Sequence, residues 1–317
     1  MIAETAIATG VPTRRVSLEG IWLPLITPFR DGRLDEVTLA ALTRHYLEAP
    51  IDGLILAATT GEGLTLEAEE AERLVNIVGE TVGGRLPVFF GLSGSNTRAM
   101  QKTLARLRSW PVDGTLVACP YYTRPSQEGL YQHFAALAGD SDRPLAIYNI
   151  PYRTGVNMAN ETILRLAELE GVIGVKDCCA DPAQTFDLLR RRPEGFSVMT
   201  GEDGQFFSAI AHGCDGGVVA SAHIDPEGFA ATQVALIAGD RSRALRHWPA
   251  LADIVQLLFA EPSPAPIKYW LWREGLLPSP EVRLPMTPVS ERLARRIDAA
   301  VERRMMRGTE MPAEATW

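Results

Sequence analysis

The chain has 317 residues, 46% of them hydrophobic and 22% charged, enough to bury one large α/β core and too apolar for a disordered chain. Its formal charge of −8 and pI near 5.3 argue against a nucleic-acid groove or a surface for anionic membranes, which need clustered Lys and Arg, and favour a small-molecule partner. No apolar run approaches the roughly 20 uncharged residues of a membrane span.

Residues 1–17 read as a loose leader, because MIAETAIATGVPTRRV lacks the basic start and apolar centre of a signal peptide, and a cytoplasmic location is expected. The four cysteines, Cys119, Cys178, Cys179 and Cys214, form neither a zinc spacing nor a secreted disulfide framework. Reduced thiols are expected, with Cys119 and Cys214 packing in the core.

From residue 20 one rhythm repeats: a short apolar run, a loop, then an amphipathic stretch with three-to-four-residue spacing. The first predicted strand, 20–26, runs into LITPFRDG, which is not the Gly-rich turn that a doubly wound nucleotide fold would carry there. The second, 52–57, leads into Ala58-Thr59-Thr60-Gly61-Glu62-Gly63, where two hydroxyls and the amides about Gly61 form either an anion cradle or an ordinary helix lead-in. A helix follows over 67–82, then a strand over 86–91. The helix over 96–110 places Lys102 among Arg98, Gln101 and Arg106, on a solvated face.

The fourth strand, 113–118, ends in Cys119-Pro120-Tyr121-Tyr122, and a helix is predicted from Ser126. The fifth, 144–149, turns Tyr148 to the same face as Ala146 and leads into Ile150-Pro151-Tyr152-Arg153-Thr154-Gly155, a loop bounded by Pro and Gly. A fixed guanidinium at Arg153 suits two-pronged capture of a carboxylate; the plainer reading is a surface arginine. Helices are expected over 160–170 and 181–192, with Asn160 and Asp181 available to cap them.

Between those helices lies GVIGVKDCCAD. Only three of the 31 basic residues are lysines: Lys102, Lys176 and Lys268. A two-residue alternation puts Val172, Gly174 and Lys176 on one face of the sixth strand, 171–176, and Ile173, Val175 and Asp177 on the other. The more apolar face meets the helices, so Lys176 points inward. A desolvated amine there loses its proton easily and serves as a Schiff-base nucleophile, with Tyr148 beside it to shuttle protons. The competing reading is a buried ion pair between Lys176 and Glu62 or Asp203. Lys268 sits at a helix start beside Tyr269 and Trp270, where its stem is expected to snorkel over aromatics.

The seventh strand, 196–201, ends in Gly201-Glu202-Asp203, and the eighth spans 215–220. Eight strands, each too apolar for a half-solvated sheet, predict a parallel sheet covered by helices, an α/β (β/α)8 barrel at 18–225. Helical patterns alone continue over 226–317, broken by prolines at 260–270 and 277–288, giving a C-terminal helical region. The five histidines are scattered, and no metal or cofactor is implied. Pyridoxal-phosphate chemistry would also use a buried lysine, but no phosphate cradle with a ring-nitrogen partner stands out.

TTGEG, PYYTRPSQEGLYQHF, YNIPYRTG, GVKD and VRLPMTP, in this order, resemble the dihydrodipicolinate synthase and N-acetylneuraminate lyase family from about residue 18 to residue 290. The resemblance implies a (β/α)8 barrel that binds pyruvate through a lysine Schiff base and assembles as a homodimer or homotetramer. It implies that Lys176 is the Schiff-base lysine, Tyr148 its acid and base, and Thr59 a relay to Tyr148 and to Tyr122 from the neighbouring subunit. By the same likeness Thr60 holds the pyruvate carboxylate, Arg153 receives the second substrate's carboxylate, and Gly201 and Val218 line the pocket. The synthase activity, condensing pyruvate with aspartate 4-semialdehyde on the way to lysine, is the branch most similar. N-acetylneuraminate lyase, a ketodeoxy-sugar-acid aldolase or an inactive keto-acid-binding barrel are the alternatives.

Four departures bear on the substrate: Ala58 for a glycine, Tyr152 for a serine, Cys178 and Cys179 for small residues, and His223 for an asparagine. Both cysteines are expected to line the pocket. The resemblance also implies weak or absent inhibition by lysine: Asn96 matches one element of the feedback site, but Met100 stands for an acid, and Ala68 and Ala71 for histidines.

Overall fold

The computed structural model describes residues 16–179 and 181–310, so most of the expected leader and the last seven residues lie outside the described residues. Eight parallel strands close into a barrel: β1 Gly20–Pro24, β2 Gly53–Leu56, β3 Val88–Leu92, β4 Gly114–Ala118, β5 Leu145–Asn149, β6 Val172–Asp177, β7 Ser197–Thr200 and β8 Gly216–Val218. Each pairs with the next in sequence, and β8 pairs with β1. GLIL of β2 and VFFGL of β3 are buried at every position, as a strand covered on both sides requires.

Two apolar clusters follow from that closure. One lies between strands and helices; the other fills the barrel with Trp22, Ile55, Phe89, Leu116, Met199 and Val218. Trp22 and Phe89 meet edge to face with centroids 4.9 Å apart. Glycines on neighbouring strands make the room: a Cβ on Gly53 would lie 2.6 Å from the Trp22 ring, and one on Gly114 2.4 Å from Phe89 Cζ.

The ring of helices is α1 Glu36–Leu47, α2 Ala68–Val82, α3 Thr97–Leu107, α4 Gln127–Asp140, α5 Asn160–Ala167, α6 Pro182–Arg191, α7 Phe206–Ala211 and α8 Pro226–Ile237. Side-chain oxygens of Asn96, Ser126 and Asp181 accept first-turn amides of α3, α4 and α6. Asn160 is no cap: Ala159 holds that place, and Asn160 Nδ2 donates to the Gln184 carbonyl and to Asp187. LITPFRDG opens a hairpin that the strand-and-helix rhythm did not predict, Phe29–Arg30 with Arg33–Leu34, turned by Asp31 and Gly32 at φ 52° and 75°.

β6 departs from simple alternation. Leu145 pairs with Val172 and Ala146 with Gly174, leaving Ile173 as an extra, bulged residue. Val172 therefore packs outward beside Val175, and Ile173 packs against the interior cluster, the reverse of the expectation for these two. Beyond the bulge the two-residue period holds, with Cys178 inward and Asp177 outward against Thr185 of α6.

Helices alone follow β8 among the described residues. α8 packs against β1 and α7 in the place of the ring's eighth helix, so a boundary at 225 falls ahead of a helix that the barrel uses. α9 Arg241–Leu258, α10 Ala265–Arg273 and α11 Glu291–Glu310 complete the C-terminal part. No helix of the described residues is long and apolar enough to cross a membrane.

Candidate active site

Lys176 and Tyr148 stand opposite each other in the β5–β6 register, near the carboxyl ends of both strands. Each is 6% exposed, and the lysine Nζ lies 4.3 Å from the centre of the Tyr148 ring. Among the described residues Lys176 has no ion pair. Both carboxylates proposed as its partners are used elsewhere: Glu62 pairs with Lys268, and Asp203 accepts the amides of Ala220 and Ser221. The ion-pair reading of Lys176 is thereby overturned.

Burial pushes the Lys176 ammonium below its usual value, against the opposing influence of Cys178, Asp203 and Glu202, and the Arg153 guanidinium pushes in the same direction as burial. Burial raises the Tyr148 phenol well above the usual range, while a hydrogen bond with the Thr59 hydroxyl opposes that rise. The result is an amine that gives up its proton readily beside a phenol that keeps one. Asp203, wholly buried, is raised to about 6, mainly by burial.

Gly201 closes the space behind the lysine. A Cβ there would lie 2.4 Å from Lys176 Cε and 2.4 Å from Cys178 Sγ, so only glycine lets the lysine stem pass. Val218 lies in the interior cluster, in register with Trp22.

After β2 the chain makes a tight turn with Ala57 and Glu62 at φ 53° and 52°. The amides of Glu62 and Gly63 donate to the Thr59 and Ala58 carbonyls, and Thr27 Oγ1 donates to the Gly61 carbonyl. Those internal bonds remove two amides from the expected cradle and leave Thr59, Thr60 and Gly61. Thr60 is buried and Thr59 exposed.

Arg153 sits on the short helix Pro151–Thr154, its guanidinium 5.6 Å from the centre of the Tyr152 ring. Tyr122 is 91% exposed at φ 70°, its amide donating to the Thr154 carbonyl, and it does not join Thr59 and Tyr148 within its own chain. The two cysteines part company. Cys178 lines the interior next to Lys176, whereas Cys179 faces the helices and meets Gln184. Cys179 therefore does not line the space around Lys176, because the alternation of faces continues just past the end of β6 and turns it toward α6. Burial raises the Cys119 and Cys214 thiols to about 12, as for packing residues.

Lys268 does not snorkel. It is fully buried, with Nζ 2.5 Å from Glu62 Oε1, 2.8 Å from the Glu281 carbonyl and 4.2 Å from the centre of the Phe29 ring. Its setting between Pro266, Ile267 and Trp270 was the available signal. His223 is structural as well: Nδ1 donates to the Ala220 carbonyl and Nε2 accepts the Ile26 amide, a neutral imidazole inside the fold.

Comparison with known proteins agrees over nearly the whole chain. The family model described as "Dihydrodipicolinate synthetase family" matches residues 17–304. A protein of Clostridium acetobutylicum named 4-hydroxy-tetrahydrodipicolinate synthase 2 is 42% identical over 283 residues, covering 89% of this chain and 99% of that one. Among solved structures, the 4-hydroxy-tetrahydrodipicolinate synthase of Methylacidiphilum fumariolicum is 31% identical with a TM-score of 0.88, covering 93% of this chain and 98% of that one. The dihydrodipicolinate synthase of Acinetobacter baumannii, solved in complex with pyruvate, is 30% identical with a TM-score of 0.86, covering 90% and 98%.

Proposed function

The chain belongs to the dihydrodipicolinate synthetase family, and from that premise we propose that it is a class I lyase condensing pyruvate with L-aspartate 4-semialdehyde, the 4-hydroxy-tetrahydrodipicolinate synthase reaction. Lys176 is the nucleophile. Its neutral amine attacks the ketone carbon of pyruvate, and the carbinolamine loses water as Tyr148 delivers and recovers the proton. The protonated imine takes up the electron pair of a methyl C–H bond, which releases its proton, and the resulting enamine carbon attacks the aldehyde, whose oxygen gains a proton in exchange. The amine of the second substrate then displaces Lys176 and closes the ring, returning the lysine free.

One observation carries this reading: a buried lysine with no ion-pair partner among the described residues, its amine against a tyrosine ring. Thr60 holds the pyruvate carboxylate, Arg153 the carboxylate of the aldehyde, and Gly201 and Val218 wall the pyruvate site. Thr59 links Tyr148 to Tyr122 of a second copy in a homodimer or homotetramer, a role that suits a tyrosine 91% exposed on its own chain. No cofactor is needed, because the imine itself is the electron sink. The reaction takes place in the cytoplasm.

Borohydride added with pyruvate tests the chemistry: a reduced-pyruvate mass increment on Lys176 is expected, and an unmodified lysine refutes the mechanism. A coupled assay with aspartate semialdehyde, run beside N-acetylneuraminate and a ketodeoxy sugar acid, tests the substrate. Turnover of either sugar acid in preference would assign the chain to a lyase or aldolase branch instead.

A further inference from the structure

We infer that Glu202 is the residue that selects an aldehyde carrying an ammonium group, its carboxylate facing the amine of the second substrate while Arg153 takes the carboxylate. This rests on the synthase reading and extends it to specificity.

Glu202 follows Gly201 at the end of β7, with extended backbone at φ −105° and ψ 102°. Its amide donates to Thr200 Oγ1 at 3.2 Å, and its side chain does not cap the short turn Asp203–Gln205 that it precedes. The carboxylate therefore neither caps that turn nor joins an ion pair among the described residues, and the groups that approach it are the Tyr152 hydroxyl and the Cys178 thiol. Oε1 is buried and has no hydrogen-bond partner among the described residues. A buried acceptor left unpaired destabilises a protein, the more so when charged, and such groups persist where a ligand satisfies them.

The surroundings identify that ligand. Lys176 and Cys178 face Glu202 from β6, and Tyr152 brings its hydroxyl to the carboxyl from the β5 loop, with Arg153 next along the chain. At the enamine stage, when the aldehyde is attacked, the Lys176 nitrogen is uncharged and leaves Glu202 without a cation on that side. A substrate entering between Lys176 and Arg153 then meets an anion on one side and a guanidinium on the other, the arrangement that suits a zwitterion. A polyol brings only neutral hydroxyls, and an aldehyde acid without an amine leaves Oε1 unpaired.

The test is the ratio of kcat/KM for L-aspartate 4-semialdehyde to that for succinic semialdehyde, the same aldehyde acid without the amine, both with saturating pyruvate. A charge-assisted hydrogen bond contributes a factor of roughly ten to a hundred to this ratio in the unmodified protein. In Glu202→Gln, which keeps shape and removes charge, the ratio is expected to fall by that factor, the remaining preference coming from the amine that displaces Lys176, and in Glu202→Asp to lie between. An undiminished ratio in Glu202→Gln overturns the inference. An unmodified protein that traps pyruvate on Lys176 yet consumes neither aldehyde refutes the synthase reading instead, before any variant is compared.

Discussion

Lys268 and Glu62 meet at 2.5 Å across 206 residues of chain, with side chains 0% and 1% exposed. Glu62 Oε2 also accepts the Arg283 amide, so a single carboxylate ties the Thr59–Thr60 turn to the C-terminal region. Burial lowers the Lys268 ammonium to about 8, and Glu62 holds it charged against that pull. Lys268→Met leaves Glu62 buried without its cation and is expected to lose about 3–5 kcal/mol in urea denaturation. Adding Glu62→Met to that variant should recover part of the loss. A single variant as stable as the parent would show that the pair carries no such weight.

Imine formation should gain its pH dependence from Lys176. Its pKa lies below the ordinary 10.5 through burial, so the rate of borohydride trapping with pyruvate should rise with pH to a midpoint below that value. Arg153 pushes the same way, and Arg153→Ala should move the midpoint upward. A midpoint unchanged in Arg153→Ala would mean that the guanidinium is screened from the amine.

Gly201→Ala tests the packing behind the lysine. The new methyl group would meet Lys176 Cε and Cys178 Sγ, both at 2.4 Å, so the lysine stem must move. Trapping of pyruvate should fall by about 10²-fold, as for a reacting group displaced by an ångström. Adding Cys178→Ala relieves only one of the two clashes and should restore only part of the rate. Full activity in Gly201→Ala would sink the assignment of that space to the lysine.

Acid stability should depend on His223. Burial lowers its pKa from 6.5 to about 4, so folded and unfolded chains are both neutral there above pH 6.5. As pH falls below 6.5 the unfolded state alone takes up the proton. Stability is then lost progressively down to about pH 4, by a sum on the order of 3 kcal/mol. His223→Gln, which keeps an acceptor near the Ile26 amide, should flatten the melting-temperature profile between those pH values. An equally steep profile would place the acid sensitivity elsewhere.

Lysine should inhibit weakly or not at all. Asn96 spends its side chain capping α3, accepting the Ala99 amide at 3.2 Å, and Met100 and Ala71 are buried apolar residues that offer an ammonium no partner. Steady-state rates measured against added lysine are the check, and half-inhibition at sub-millimolar lysine would contradict this.

The sequence by itself determined the barrel, because strands covered on both faces must be short apolar runs, and eight such runs fell within a few residues of the observed strands. It also placed Lys176 inward, since the two-residue period holds from Gly174 onward. Local pattern could not reveal what depends on closure. The bulge at Ile173 is a mismatch between two strands, and no single strand displays it. Lys268 finds Glu62, and Glu202 keeps a carboxylate oxygen unpaired beside Lys176, only once distant segments pack together. The vicinal cysteines, alike as a pair of letters, were separated by the wall of the barrel, Cys178 against the lysine and Cys179 among the helices. Periodicity sets which face a residue takes; only the tertiary structure decided what it meets there.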